Sequence, residues 1–251
     1  MGIPVLILGE SGTGKSASMR NFGKDEIALV NVAGKPLPFK GKFDETINSD
    51  SYRTIKKFIK ESYANTIIID DCQYLMANEF MRRGLERGYD KFTEIAVNFW
   101  ELVQAVKDLP DEKIVIFMSH TERDANGNEK IKTIGKLLDE KITVEGMFTI
   151  VLKTIVKDGQ YSFQTQNSGH DTVKSPIGLF ETNEIDNDLK AVVNAITNYY
   201  FSEGEQPKKA APKQEVPPKL DDDDVPFYDS SEDATPEPEP KPRKRRTRKE
   251  G

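Results

Sequence analysis

The 251-residue sequence contains one cysteine, one tryptophan and two histidines, and only five of its 14 prolines precede residue 204. A single thiol, Cys72, cannot build a disulfide framework or a multi-cysteine zinc site. That poverty suits a reducing compartment, so a cytoplasmic location is expected. No run of about 18 apolar residues exists, so no membrane-spanning helix and no membrane partner are expected. The opening MGIPVLILG is apolar but lacks a positively charged start, and Leu6 stands where a myristoylation signal requires Ser or Thr. It reads as a first strand. Positive charge is also not in excess: the net charge is -6, which argues against a surface that tracks nucleic acid throughout and leaves only local contacts.

What is present divides the chain in two. Nine prolines fall between Gly204 and the last residue, together with 12 acidic and 11 basic residues and almost no aliphatic ones. Such a segment cannot bury enough apolar surface to fold, so residues 204-251 are expected to be a disordered tail and residues 1-203 a single domain. The tail's charges are segregated, with LDDDD in its middle and PRKRRTRKE near its end, a pattern typical of interaction tails.

Within the domain, short apolar runs alternate with helical periodicity. Val5 to Leu8, Ile27 to Val32, Thr66 to Ile69 and Ile114 to Met118 have the continuous apolar character of strands covered on both faces. Gly14 to Asn21, Ser51 to Ser62 and Phe92 to Leu109 have helical spacing, the last closed by Pro110. Past residue 147, MFTIVLKTIV and GQYSFQTQN predict a hairpin that extends the sheet, followed by a helix over about Asn187 to Phe201. The alternation predicts a three-layer α/β domain with a mostly parallel central sheet.

The motif that makes this a P-loop NTPase domain in expectation is GESGTGKS, residues Gly9, Glu10, Ser11, Gly12, Thr13, Gly14, Lys15 and Ser16. It matches GxxxxGK[ST] and lies between a strand and a helix, the context in which this pattern carries meaning. Glycines let the backbone wrap an anion with its N-H groups inward. A lysine at this spacing reaches the β and γ phosphates of a nucleoside triphosphate, and the following hydroxyl ligates Mg2+. A second element, TIIIDDCQYL, ends an apolar strand in two carboxylates. Asp70 is the candidate for a second Mg2+ contact, and Asp71 could polarise an attacking water as general base. Alternatively, the two aspartates cap the helix that follows. In IVIFMSHTE, Ser119 and His120 stand at the end of another buried strand, where one of them could sense the terminal phosphate. The segment Thr121 to Gly146 is long for a connection and carries Arg123, Lys130, Lys132, Lys136 and Lys141. It could contact DNA or a neighbouring subunit, or simply be solvated, and Arg82, Arg83 and Arg87 are open to the same readings.

Taken in order, GESGTGKS, IIIDDCQYL, IVIFMSHTE and HDTVKSPIGLF resemble the phage-type nucleotide-binding P-loop proteins of the AAA/RecA-like class, over about residues 1 to 201. Relatives in that class include short RecA-like recombinases and single-strand annealing proteins encoded beside phage replication genes. The resemblance implies ATP at Gly9 to Ser16, Mg2+ at Ser16 and Asp70, and a polar sensor at Ser119 or His120. It implies a homo-oligomeric ATPase of phage DNA recombination or replication, acting on single-stranded DNA in the bacterial cytoplasm. Lys174 is a candidate finger across a subunit boundary. In the tail, Asp221 to Phe227 resembles the acidic tip of bacterial single-stranded-DNA-binding proteins, in which aspartates lead into a Pro-Phe anchor. This implies recruitment of replication or repair proteins. It also supports a second reading, an ATP-switched adaptor comparable to a helicase loader. A small-molecule kinase is disfavoured, because no arginine-rich lid follows the motifs.

Overall fold

Residues 1-202 are described by a computed structural model of the chain. The expected disordered tail and its Asp221 to Phe227 motif lie outside the described residues. In chain order the elements are β1 (Ile3–Leu8), β2 (Ile27–Asn31), β3 (Glu45–Ile47), α1 (Tyr52–Glu61), β4 (Thr66–Asp70), α2 (Gln73–Arg82) and α3 (Asp90–Gln104). They continue with β5 (Ile114–Ser119), β6 (Thr121–Arg123), β7 (Glu129–Ile131), β8 (Ile150–Lys157), β9 (Gln160–Gln164), β10 (Glu184–Asp186) and α4 (Leu189–Phe201).

Eight strands form one sheet in the order β10-β9-β8-β1-β5-β4-β2-β3. All neighbours from β8 to β3 are parallel. β9 and β10 add an antiparallel edge, β9 through the two-residue turn Asp158-Gly159. The strands are apolar on both faces because both faces are covered. Leu6, Leu8, Ile67, Ile69, Val115 and Phe117 pack on one side with Ile55 of α1, Leu75 of α2 and Phe99 of α3. Val5, Ile7, Ile68, Ile116 and Met118 pack on the other with Met19 and the α4 residues Leu189, Val192 and Ile196. Successive side chains of a strand point to opposite faces, so an unbroken apolar run is what two covering layers require.

Three elements depart from the sequence expectation. The helix expected over Gly14 to Asn21 is a six-residue 3-10 helix, Ser16–Asn21. Gly14 has φ +95° and Phe22 is extended, so both ends are cut short. The helix expected over Phe92 to Leu109 starts earlier, at Asp90, and ends in a 3-10 turn, Ala105–Asp108. Leu109 precedes Pro110 and is pushed to an extended conformation, which ends the helical path. The segment Thr121 to Gly146 is a small antiparallel ribbon, β6 with β7, followed by helical turns at Leu137–Lys141 and Val144–Met147. Ile131, Leu138 and Val144 are buried in the α1-α3 side of the core, and the buried Glu145 carboxylate accepts from the Ile131 N-H at 2.8 Å. The segment is therefore anchored rather than a free loop. Among the described residues no helix is long and apolar enough to cross a membrane.

Candidate functional site

The carboxyl ends of four parallel strands meet at one edge of the sheet. Leu8 of β1 is in register with Ser119 of β5, and Asn31 of β2 with Asp70 of β4. Because β5 lies between β1 and β4, the loop after β1 and the carboxylates ending β4 face each other across one strand. Between them is a cleft of about 500 Å3. One wall is Ser11, Gly12 and Gly14 to Ala17; the other includes Asn31, Lys35, Asp70, Asp71 and His120. Tyr161 from β9 closes one side.

The loop after β1 is fixed from outside. Thr13 Oγ1 donates to the Glu10 carbonyl at 2.8 Å and lies 2.6 Å from Thr154 Oγ1 of β8. A Cβ on Gly9 would stand 2.0 Å from Thr154 Oγ1 and 2.7 Å from Thr13 Oγ1, so any side chain here forces these threonines or the loop to shift. At Gly14 a Cβ would meet the Tyr161 ring at 2.8 Å, and its φ disfavours any side chain. Gly9→Ala is expected to destabilise the protein by about 1–3 kcal/mol through overpacking. The double variant with Thr154→Ala should recover part of that loss in chemical denaturation, because the 2.0 Å contact is gone while the Thr13 contact remains. Equal stability of the single and double variants would show that the loop relaxes away from β8.

Lys15 is buried, and its ammonium donates to the Gly9 and Glu10 carbonyls, both at 2.8 Å. Burial lowers its pKa, opposed by the nearby Asp71 and Asp70 carboxylates. The next residue, Ser16, directs its hydroxyl to both oxygens of Asp70, at 2.9 and 2.8 Å. Asp70 is itself buried, and burial pushes its carboxyl up to about 6, against the Ser16 hydrogen bond that favours the charged form. Asp70 is therefore a buried carboxylate whose charged form is disfavoured by loss of water.

Asp71 has φ +59°, unusual for a residue other than glycine, though aspartate tolerates it better than most. At this turn from β4 into α2 its carboxylate lies between two cationic or potentially cationic groups: His120 Nε2 at 3.3 Å from Oδ1 and Lys35 Nζ at 3.1 Å from Oδ2. Burial would raise this carboxyl, but hydrogen bonds from His120 and Lys35 outweigh it and hold it at about 2. Ser119 is fully buried and turns its hydroxyl to the His120 carbonyl, so of the two sensor candidates only His120 lines the cleft. The His120 N-H is 3.3 Å from Gln73 Oε1, which ties the end of β5 to the start of α2.

Sequence reasoning brought Lys15, Ser16, Asp70, Asp71 and His120 forward, and all five line the same cleft. It missed Asn31, Lys35 and Tyr161. Their signals were slight: a polar residue ending the second apolar strand, a Gly-Lys-Pro after it, and an aromatic in the hairpin. The other basic candidates lie elsewhere. Arg83 is held by Glu79, Glu86 and Glu94 at 3.2, 2.8 and 2.7 Å, and Arg82 by Asp50 at 2.5 Å. Arg123, Lys130 and Lys136 pair with Glu129, Asp139 and Glu140, while Arg87, Lys132 and Lys141 are exposed. Lys174 is bonded through its backbone to Val151 of β8 and does not line the cleft.

Fold and geometry together define an α/β protein with a mostly parallel eight-stranded sheet and a charged cleft at the carboxyl edge of its central strands. Set against known proteins, the chain matches no protein-family model and no curated protein sequence.

Proposed function

We propose that the chain binds ATP with Mg2+ in this cleft and hydrolyses it, as an ATPase of phage DNA recombination or replication that acts on single-stranded DNA. The observation that carries the reading is the meeting of Ser16 with Asp70 beside Lys15, between residues 54 positions apart in sequence. A hydroxyl and a carboxylate side by side are hard oxygen donors of the kind Mg2+ takes, usually with phosphate and water oxygens completing the shell. Among the described residues no group of three or more His, Cys, Asp or Glu is placed to hold a metal. A Mg2+ that takes one carboxylate and one hydroxyl from the protein requires no such group. The raised pKa of Asp70 fits as well, since a cation there would offset the cost of its buried charge.

In this reading the loop Gly9 to Ser16 binds the phosphates. Lys15 turns from the two carbonyls that now hold it to phosphate oxygens, which are stronger acceptors because they are charged. Bound Mg2+ supplies further neutralisation of the phosphate charge. Asp71 and His120, in contact on one wall of the cleft, orient the attacking water. A carboxyl held at about 2 is a weak base, so Asp71 acts through its charge and its hold on His120 in this arrangement. Homo-oligomerisation and the DNA role rest on the resemblance; of the basic residues singled out in the sequence, Arg87, Lys132 and Lys141 are exposed and could take phosphate contacts. The adaptor reading rests on Asp221 to Phe227, outside the described residues.

Hydrolysis by the purified protein, measured with and without single-stranded DNA at low and moderate salt, tests the proposal. Strong stimulation by DNA that weakens with added salt is the expected result. Turnover indifferent to DNA would remove the DNA role and favour the adaptor, and absence of nucleotide binding would remove both.

A further inference from the structure

The second lysine of the cleft, Lys35, is not part of any motif, yet its position is set with care. Gly34 N-H bonds to the Asn31 carbonyl at 3.3 Å, and Asn31 Nδ2 donates to the Lys35 carbonyl at 2.7 Å. Asn31 is nearly buried at the end of β2, so the backbone of Lys35 is tied to the sheet. Pro36 and Pro38 follow and also line the cleft, restricting the chain beyond. From this root the side chain passes over the Tyr74 ring, with Nζ 4.9 Å from its centre, and reaches Asp71 Oδ2 at 3.1 Å. It remains more than half exposed, at 59%. An ammonium group has three donors, and Asp71 is its one hydrogen-bond partner among the described residues.

The charges explain why a lysine here has a use beyond an ion pair. Without ligand, Lys15 and Lys35 face Asp70 and Asp71 and the cleft is roughly balanced. A triphosphate brings more negative charge than Mg2+ and Lys15 together remove, and Lys35 is the remaining lysine that lines the same space. Its tether is a monoanionic carboxylate, whereas a terminal phosphate offers more charge and three acceptor oxygens. The Tyr74 face supports the ammonium in either position.

We propose that Lys35 is a second phosphate ligand of this cleft, supplied by the same chain, which exchanges Asp71 for the terminal phosphate of the bound nucleotide. The proposal rests on the nucleotide reading above and assigns to Lys35 the recognition of that phosphate. It places within one chain a charge that proteins of this general chemistry can draw from a neighbouring subunit. A purely structural Lys35 would instead hold Asp71 and the loop, irrespective of which nucleotide is present.

The test uses the full chain with Mg2+ and either ADP or a non-hydrolysable triphosphate analogue, titrated calorimetrically, together with steady-state ATP hydrolysis. In Lys35→Met, ADP affinity is expected to stay within about twofold, while triphosphate affinity falls roughly tenfold or more, as for loss of one charged hydrogen bond. The kcat should fall on the order of a hundredfold, the scale of a lost transition-state charge contact. Lys35→Arg, which keeps the charge, should restore most of the triphosphate preference. Because the side chain is exposed, both variants should melt near the wild-type temperature. Equal weakening of ADP and triphosphate, or no change in either, overturns the role of Lys35 while leaving the nucleotide cleft intact. A wild-type protein that binds neither nucleotide overturns the cleft reading itself, and this inference with it.

Discussion

Lys15→Ala is expected to abolish measurable ATP hydrolysis and to weaken triphosphate binding strongly. The loss in turnover should reach a factor on the order of 100 to 1,000 or more, since a fixed positive charge beside the transferred phosphoryl group is removed. The fold should tolerate the change. In the ligand-free protein the ammonium holds only the Gly9 and Glu10 carbonyls of its own loop, and burial already disfavours its charged form. Removing it sacrifices two hydrogen bonds and relieves a desolvated charge, two effects of opposite sign and of about 1–3 kcal/mol each. The net change in unfolding free energy should therefore be small beside the loss of activity. A variant that hydrolyses ATP at near wild-type rate would remove the nucleotide function from this cleft, whatever the sequence motif suggests.

Asp70→Asn should separate stability from activity in the opposite direction. The Asp70 carboxyl sits at about 6 in the folded chain against an ordinary 3.8. In the ligand-free protein its favourable contribution is complete below the ordinary value and is lost as pH rises through about 6, because the folded state must then bury the charge. About two pKa units correspond to roughly 3 kcal/mol, reduced by the Ser16 hydrogen bond that an amide accepts less strongly. At pH 7.5 without ligand the Asn variant is thus expected to be more stable than wild type by about 1–3 kcal/mol, and the difference should shrink toward pH 4. Asp71 has the opposite sign, with its stabilising contribution lost only as pH falls from about 4 toward 2, so the two windows do not overlap. Turnover that depends on Mg2+ should be lost in the same variant, and saturating Mg2+ with nucleotide should stabilise wild type far more than Asp70→Asn. A variant no more stable than wild type at neutral pH would show that the carboxylate is already compensated in the free protein.

Much of the site could be read from the chain because its chemistry is local. Gly9, Gly14, Lys15 and Ser16 lie within eight residues, the spacing a backbone needs to wrap an anion as proposed. Asp70 and Asp71 were legible as carboxylates at the end of an apolar run. The strands were legible too, since Val5 to Leu8 and Ile67 to Ile69 are apolar without alternation, as burial on both faces demands.

Other features depend on which segments become neighbours, and adjacent residues do not encode that. The sheet order puts β5 between β1 and β4, and this alone brings Ser16 to Asp70 and His120 to Asp71. Lys35 becomes a cleft residue only because Asn31 ties its backbone to the end of β2, and β2 pairs with β4. Gly9 is favoured for a reason invisible in its own segment, the approach of Thr154 from β8, 145 positions away. The small strands β3, β6, β7 and β10 were missed for the same cause, being three residues each and held by pairing partners rather than by any apolar pattern of their own. By itself, then, the sequence determined an apolar sheet, a glycine loop carrying Lys15 and Ser16, and two carboxylates. Tertiary structure decided which charges share the cleft, because Coulombic and hydrogen-bond contacts depend on distance in space and parallel strand pairing joins positions far apart along the chain.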